Sequence, residues 1–140
     1  MSAYAYLIGW RIVRFLPENL AYKLFLAIGN YVYKKNGKGV QRLRNNMRKV
    51  SGLDGAALEE LTTNAMRSYM RYWCDTFRLP DWNAEKVSNG VELINEHFLT
   101  DPLDSGKGVV VALPHSGNWD HAAAYFLGRG YKAVTVAEKL

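Results

Sequence analysis

From Ala3 to Leu16 the chain is apolar except for Arg11 and Arg14, and Pro17 closes the run. That pattern predicts a first helix followed by a break. Between Leu20 and Tyr33 the only charge is Lys23, and Asn19, Lys23, Asn30 and Lys34 fall on one narrow helical stripe, so the remaining face of a second helix needs cover. Neither run reaches the roughly 20 uninterrupted apolar residues of a bilayer-spanning helix. Two helices buried against the rest of the domain fit this pattern. A helical pair lying in a membrane interface, with flanking cations on phosphates, fits it too.

Val40, Leu43, Met47 and Val50 make a thin apolar seam in an otherwise cationic helix. Leu58, Leu61, Ala65, Tyr69, Trp73 and Phe77 recur every three or four residues and predict a long amphipathic helix that Pro80 terminates. Asp81 to Asn89 is rich in turn formers and reads as a connector, followed by a short helix over Val91 to Leu99.

Beyond Ser105 to Gly108, a turn, the period changes. Val109 to Leu113 is a β-branched run without polar alternation, as in a strand buried on both faces, and Pro114 stops it. Trp119 to Leu127 predicts a helix, Gly128 to Gly130 ends it, and Lys132 to Val136 reads as a second buried strand. Strand, crossover and strand predict a right-handed parallel βαβ unit. The expected fold class is therefore α/β: N-terminal amphipathic helices, then the start of a mostly parallel sheet with crossover helices.

Charge changes this picture at one end only. The net charge of +5 is the balance of ten Lys or Arg against Glu18 in residues 1–50 and eight against twelve acids in residues 51–140. Lys34 to Lys49 holds seven basic residues and no acid, the footprint of an anionic partner surface. It contains no aromatic residue to stack on bases, so lipid is expected and nucleic acid is not. Cys74 is the only cysteine, which excludes an intrachain disulfide. The N-terminus lacks the cleavage signature of a secretory signal and reads as mature sequence.

The candidate chemistry lies in LPHSGNWDHAAAY, Leu113 to Tyr125. In an open parallel sheet, ligands bind beyond the carboxyl ends of the strands, where His115 would stand. Asp120 falls in the first turn of the next helix, where exposed amides favour a carboxylate. Such a carboxylate can fix the tautomer of an imidazole and stabilise its protonated form, leaving the other nitrogen to take a proton from a hydroxyl. The same spacing equally fits a loop histidine and a capping aspartate. Ser116 lacks the first glycine of Gly-x-Ser-x-Gly. His115, Asp120 and His121 make a poor metal set, since adjacent helix residues diverge by about 100°. His121 and His97 read as ordinary helix residues.

HSGNWD resembles the H-x4-D/E block of the glycerolipid acyltransferase superfamily. Its setting, GKGVVVALPHSGNWDHAAA, is similar to the branch holding the lipid A late acyltransferases and the actinobacterial phosphatidylinositol mannoside acyltransferases, as are RLRNNMRKV and NGVELINEHF upstream. Lipid A enzymes more commonly carry phenylalanine and glutamate where this chain has Ser116 and Asp120, which leans towards the mannoside branch.

The resemblance implies a membrane-associated acyltransferase that moves a long-chain acyl group from acyl-CoA or acyl-carrier protein to a glycolipid hydroxyl. His115 would be the general base and Asp120 its orienting acid, with Ser116 and Asn118 towards substrate and no cofactor or metal; Glu138, just past the second expected strand on the same sheet edge as His115, is a further substrate-side candidate and fits a solvated loop glutamate equally. Trp10, Arg11, Arg14, Lys34, Lys35 and Arg42 would meet an anionic membrane, placing the protein peripherally on the cytoplasmic face of the plasma membrane. Residues 1–50 form the expected membrane-facing region and residues 51–140 the first half of the catalytic domain. Family members are considerably longer, so this length by itself is expected to be inactive. The rival expectation is a non-catalytic basic module that docks on membranes or partners.

Overall fold

The computed structural model describes residues 3–114 and 116–135. Among them are seven α-helices: α1 (Ala3–Phe15), α2 (Glu18–Lys35), α3 (Lys38–Ser51), α4 (Gly55–Arg78), α5 (Ala84–Asn89), α6 (His97–Asp104) and α7 (Trp119–Gly128). They fall into two compact units, Met1–Pro80 and Asp81–Leu140.

In the first unit the chain breaks where its local chemistry requires. Pro17, at φ −51°, separates α1 from α2 and offers its carbonyl to the N–H groups of Leu20 (2.9 Å) and Ala21 (3.0 Å). Asn36 ends α2 at φ 47° and Gly52 ends α3 at φ 67°, both left-handed caps. The long α4 packs along α2, α3 and α1. Val13, Ala21, Phe25 and Cys74 form the centre, ringed by Leu16, Tyr22, Met70, Trp73 and Phe77. Phe25 and Phe77 meet edge to face at 6.0 Å. Burial, reinforced by the Asp75 charge, pushes the Cys74 thiol up to about 11.

The buried line of α4 is Leu58, Thr62, Met66 and Cys74, rotated from the expected stripe, and Tyr69 is exposed. Thr62 passes as a core residue because its hydroxyl donates to the Leu58 carbonyl at 2.7 Å within its own helix.

Polar contacts join the helices. Arg78 Nη1 donates to the carbonyls of Val13 (2.9 Å) and Leu16 (2.8 Å), closing the C-terminal end of α1. Arg44 grips Glu59 with Nε–Oε1 at 2.7 Å and Nη2–Oε2 at 3.0 Å, and the Tyr33 hydroxyl donates to the same carboxylate at 2.5 Å. These donors hold the Glu59 carboxyl below the usual carboxylate range, Arg44 foremost.

In the second unit, the expected connector contains α5, whose N-cap Asn83 accepts from the Lys86 N–H at 2.8 Å. The helix expected over Val91 to Leu99 starts only at His97, after Asn95 turns left-handed at φ 59°. The helix expected from Trp119 to Leu127 is present as α7.

The sheet is not. The described residues contain no strand, so the α/β expectation is corrected to an all-α structure. Val109 to Leu113 has irregular backbone and turns its side chains to solvent, Val110 almost fully. Lys132 to Thr135 is likewise irregular, with Val134 exposed, and Val136 lies outside the described residues. A strand exists only through the ladder that pairs its N–H and C=O groups. An apolar β-branched run signals preference for such a ladder but does not supply the partner.

Candidate functional site

The turn entering α7 carries the candidate residues. Gly117 takes φ 67°, a left-handed conformation that suits glycine, and redirects the chain into the helix. Asn118 is the N-cap, its Oδ1 accepting the His121 N–H at 3.0 Å. Asp120 is half-buried in the first helical turn, where amide N–H groups without helical acceptors favour a negative charge. Ser116 is exposed, and its N–H donates to the Pro114 carbonyl at 2.8 Å. One short turn therefore brings Ser116, Asn118 and Asp120 together. His115 and Glu138 lie outside the described residues.

Asn118 shows a role that spacing did not reveal. Its amide carbonyl is engaged in capping α7, so it sets the helix start and with it the position of Asp120.

His121 does more than an ordinary helix residue. Its Nε2 lies 2.8 Å from the Val87 carbonyl at the end of α5, and its ring meets Trp82 edge to face at 5.1 Å. A Cβ built on Gly90 would fall 2.4 Å from His121 Cε1. The asparagine-glycine pair that closes α5 is the available signal: glycine there permits close approach rather than unusual dihedrals, since its φ is −88°. Helices α5 and α7 are thus held against one another. Arg129, just past α7, pairs with Glu96 and stacks over Tyr125 at 5.5 Å. Among the described residues no group of three or more His, Cys, Asp or Glu side chains could hold a metal ion.

The residues expected at a membrane separate into two kinds. Trp10 donates from Nε1 to the Phe77 carbonyl at 2.9 Å, and Arg14 lies over its ring at 5.1 Å, so both are tied to the helical bundle. Arg11, Lys34, Lys35 and Arg42 are exposed. Within the same basic stretch Arg44 and Arg48 are paired, with Glu59 and Asp54. Leu7, Ile8, Ile12 and Phe15 crowd the outer face of α1, and Leu20, Leu24, Ile28 and Tyr31 line one outer stripe of α2, all of them exposed. Phe15 reaches 87% exposure, which sets it apart from any core residue. Among the described residues no helix is long and apolar enough to cross a membrane.

The described part of the candidate turn thus holds Ser116, the N-cap Asn118 and Asp120 at the start of α7. The sequence profile of the bacterial lipid A biosynthesis acyltransferases matches residues 1–140, and the chain belongs to that family. It is 39% identical over 136 residues to a phosphatidylinositol mannoside acyltransferase of Mycolicibacterium smegmatis, covering 96% of this chain and 44% of that protein. A phosphatidylinositol mannoside acyltransferase of Mycobacterium tuberculosis is 38% identical over 140 residues, covering 98% of this chain and 44% of its own length. The chain thus spans less than half the length of the curated relatives it matches. No solved structure matches it.

Proposed function

We propose that the chain serves O-acyl transfer from a long-chain acyl thioester, on CoA or acyl-carrier protein, to a hydroxyl of a membrane glycolipid such as a phosphatidylinositol mannoside. Its family and the names of its relatives support this reading. The structural observation that carries it is the position of Asp120 in the capped first turn of α7, five residues after His115 in the sequence.

In this reading His115 takes the proton from the acceptor hydroxyl as its oxygen attacks the thioester carbonyl. Asp120 stabilises the imidazolium that forms. The tetrahedral intermediate collapses with cleavage of the C–S bond, and the thiolate leaves with the proton returned by the imidazolium, giving ester and thiol. Exposed Ser116, next to His115 in the sequence, is assigned to the substrate side, and so is Glu138, from its place after the second apolar run.

The outer faces of α1 and α2 fit the membrane part of the proposal. Their exposed apolar side chains, flanked by Arg11, Lys34, Lys35 and Arg42, match the requirements of an interfacial helix pair on anionic lipid. We place the protein peripherally on the cytoplasmic face of the plasma membrane.

The test is acyl transfer in membranes of cells expressing the gene, using labelled acyl-CoA and acyl-carrier protein in parallel. Loss of the base is expected to cost about 10²–10⁴-fold in His115→Ala, and Asp120→Asn should lose most activity at unchanged protein level. Wild-type turnover in His115→Ala would end the catalytic reading and leave the basic membrane module as its replacement.

A further inference from the structure

A cleft of about 470 Å³ lies between α2 and α4, lined by Tyr22, Phe25, Leu26, Arg67, Ser68 and Arg71. Its size is within the range of small-molecule sites. The lining has two parts: Phe25, Leu26 and the ring of Tyr22 are apolar, whereas Arg67, Ser68 and Arg71 present donors from a single turn of α4. Arg67 and Arg71 stand at i and i+4, so two like charges share one helix face, an arrangement that destabilises a helix unless an anion lies between them.

Neighbouring groups position the pair, and Asp75 stands at i+4 from Arg71 along α4. Arg67 Nε donates to Asn30 Oδ1 at 3.0 Å and its Nη1 to Asn64 Oδ1 at 3.5 Å, and the Arg71 guanidinium lies over the Tyr22 ring at 5.2 Å. Among the described residues neither guanidinium is in an ion pair. The carboxylate of Asp75, one turn beyond Arg71, accepts from the Tyr22 hydroxyl at 2.6 Å. Each guanidinium carries five N–H donors in a fork that matches phosphate oxygens, and these neighbours occupy few of them.

We infer that the cleft between α2 and α4 binds a phosphate group carried on a partly apolar molecule. Arg67 and Arg71 hold the phosphate oxygens, Ser68 adds a hydroxyl donor, and the apolar part rests on Phe25 and Leu26. The same chemistry is offered by a phospholipid headgroup and by a soluble phosphate compound. The inference does not depend on the transfer chemistry at Asp120.

Calorimetric titration of the full chain with inorganic phosphate, with monomeric dihexanoylphosphatidic acid and with phosphatidylglycerol vesicles tests the site and separates its sources. Dihexanoylphosphatidic acid should bind tighter than phosphate, and Leu26→Asn should weaken only that ligand. Arg67→Gln and Arg71→Gln should each weaken both soluble ligands about tenfold or more, from the loss of a charged hydrogen bond. Arg67→Lys with Arg71→Lys should restore part of the affinity by keeping charge without the fork. Equal loss in Lys38→Gln with Arg42→Gln, which removes two charges elsewhere, would overturn the site in favour of general electrostatics. Absence of binding by the wild type, or unchanged binding in the folded arginine variants, would also overturn it. Vesicle binding that needs Arg67 and Arg71 identifies a lipid source; binding of the soluble ligands alone identifies a soluble one.

Discussion

His121 occupies the space that any side chain at Gly90 would need: a Cβ there would sit 2.4 Å from its Cε1. The ring cannot simply withdraw, because Nε2 is 2.8 Å from the Val87 carbonyl and Trp82 packs against it. Gly90→Ala should therefore destabilise the unit Asp81–Leu140 by about 1–3 kcal/mol through overpacking. In a His121→Ala background the same change should cost much less, giving a large coupling in a double-mutant cycle followed by urea unfolding and amide exchange in α7. Additive effects would show that the contact is not what requires glycine.

Arg78 supplies the donor for two carbonyls at the end of α1. Arg78→Met keeps much of the apolar stem but leaves the carbonyls of Val13 and Leu16 without it. The cost should be about 1–3 kcal/mol, read as a lower urea midpoint, with early loss of exchange protection in α1. A midpoint equal to wild type would mean that water replaces the guanidinium without penalty.

Acid should weaken the junction of α2, α3 and α4. The Glu59 carboxyl is held below its ordinary range by Arg44 and Tyr33. In the unfolded chain Glu titrates near about 4.3, so Glu59 contributes fully above that pH. As pH falls, the unfolded state takes its proton first and the contribution is lost as pH passes through the folded value. Glu59→Gln should be less stable than wild type at pH 7, with the gap closing below about pH 4 and narrowing in high salt. Unfolding curves of the two proteins that run parallel from pH 7 to pH 3 would contradict this.

Vesicle binding should have two separable parts. Lys34→Gln, Lys35→Gln and Arg42→Gln should each reduce binding to anionic vesicles about fivefold, the equivalent of about 1 kcal/mol per cation at low salt. Phe15→Ser and Leu24→Ser should instead reduce the part that survives high salt, since both side chains are exposed apolar groups of α1 and α2. Trp10→Phe should affect stability more than binding, because the Trp10 N–H is used by the Phe77 carbonyl. Cosedimentation across a salt series checks all three, and equal binding to neutral vesicles would remove the electrostatic part.

Much of the protein is legible in its sequence. The apolar runs closed by Pro17 and Pro80 marked α1 and the end of α4, and the acyltransferase resemblance carried by HSGNWD, RLRNNMRKV and NGVELINEHF agrees with the family that matches the whole chain. Helix breaks and family motifs are local, so neighbouring residues suffice to state them. What depended on distant residues was not readable. Thr62 entered the core because its hydroxyl turned back on its own helix, and Gly90 was needed because His121 arrives from α7. Val109 to Leu113 and Lys132 to Val136 had the composition of strands, yet the described part of both is irregular backbone. Composition records a preference, whereas a strand, a core position and a close contact each require a second segment, and only the tertiary structure decides which segment arrives.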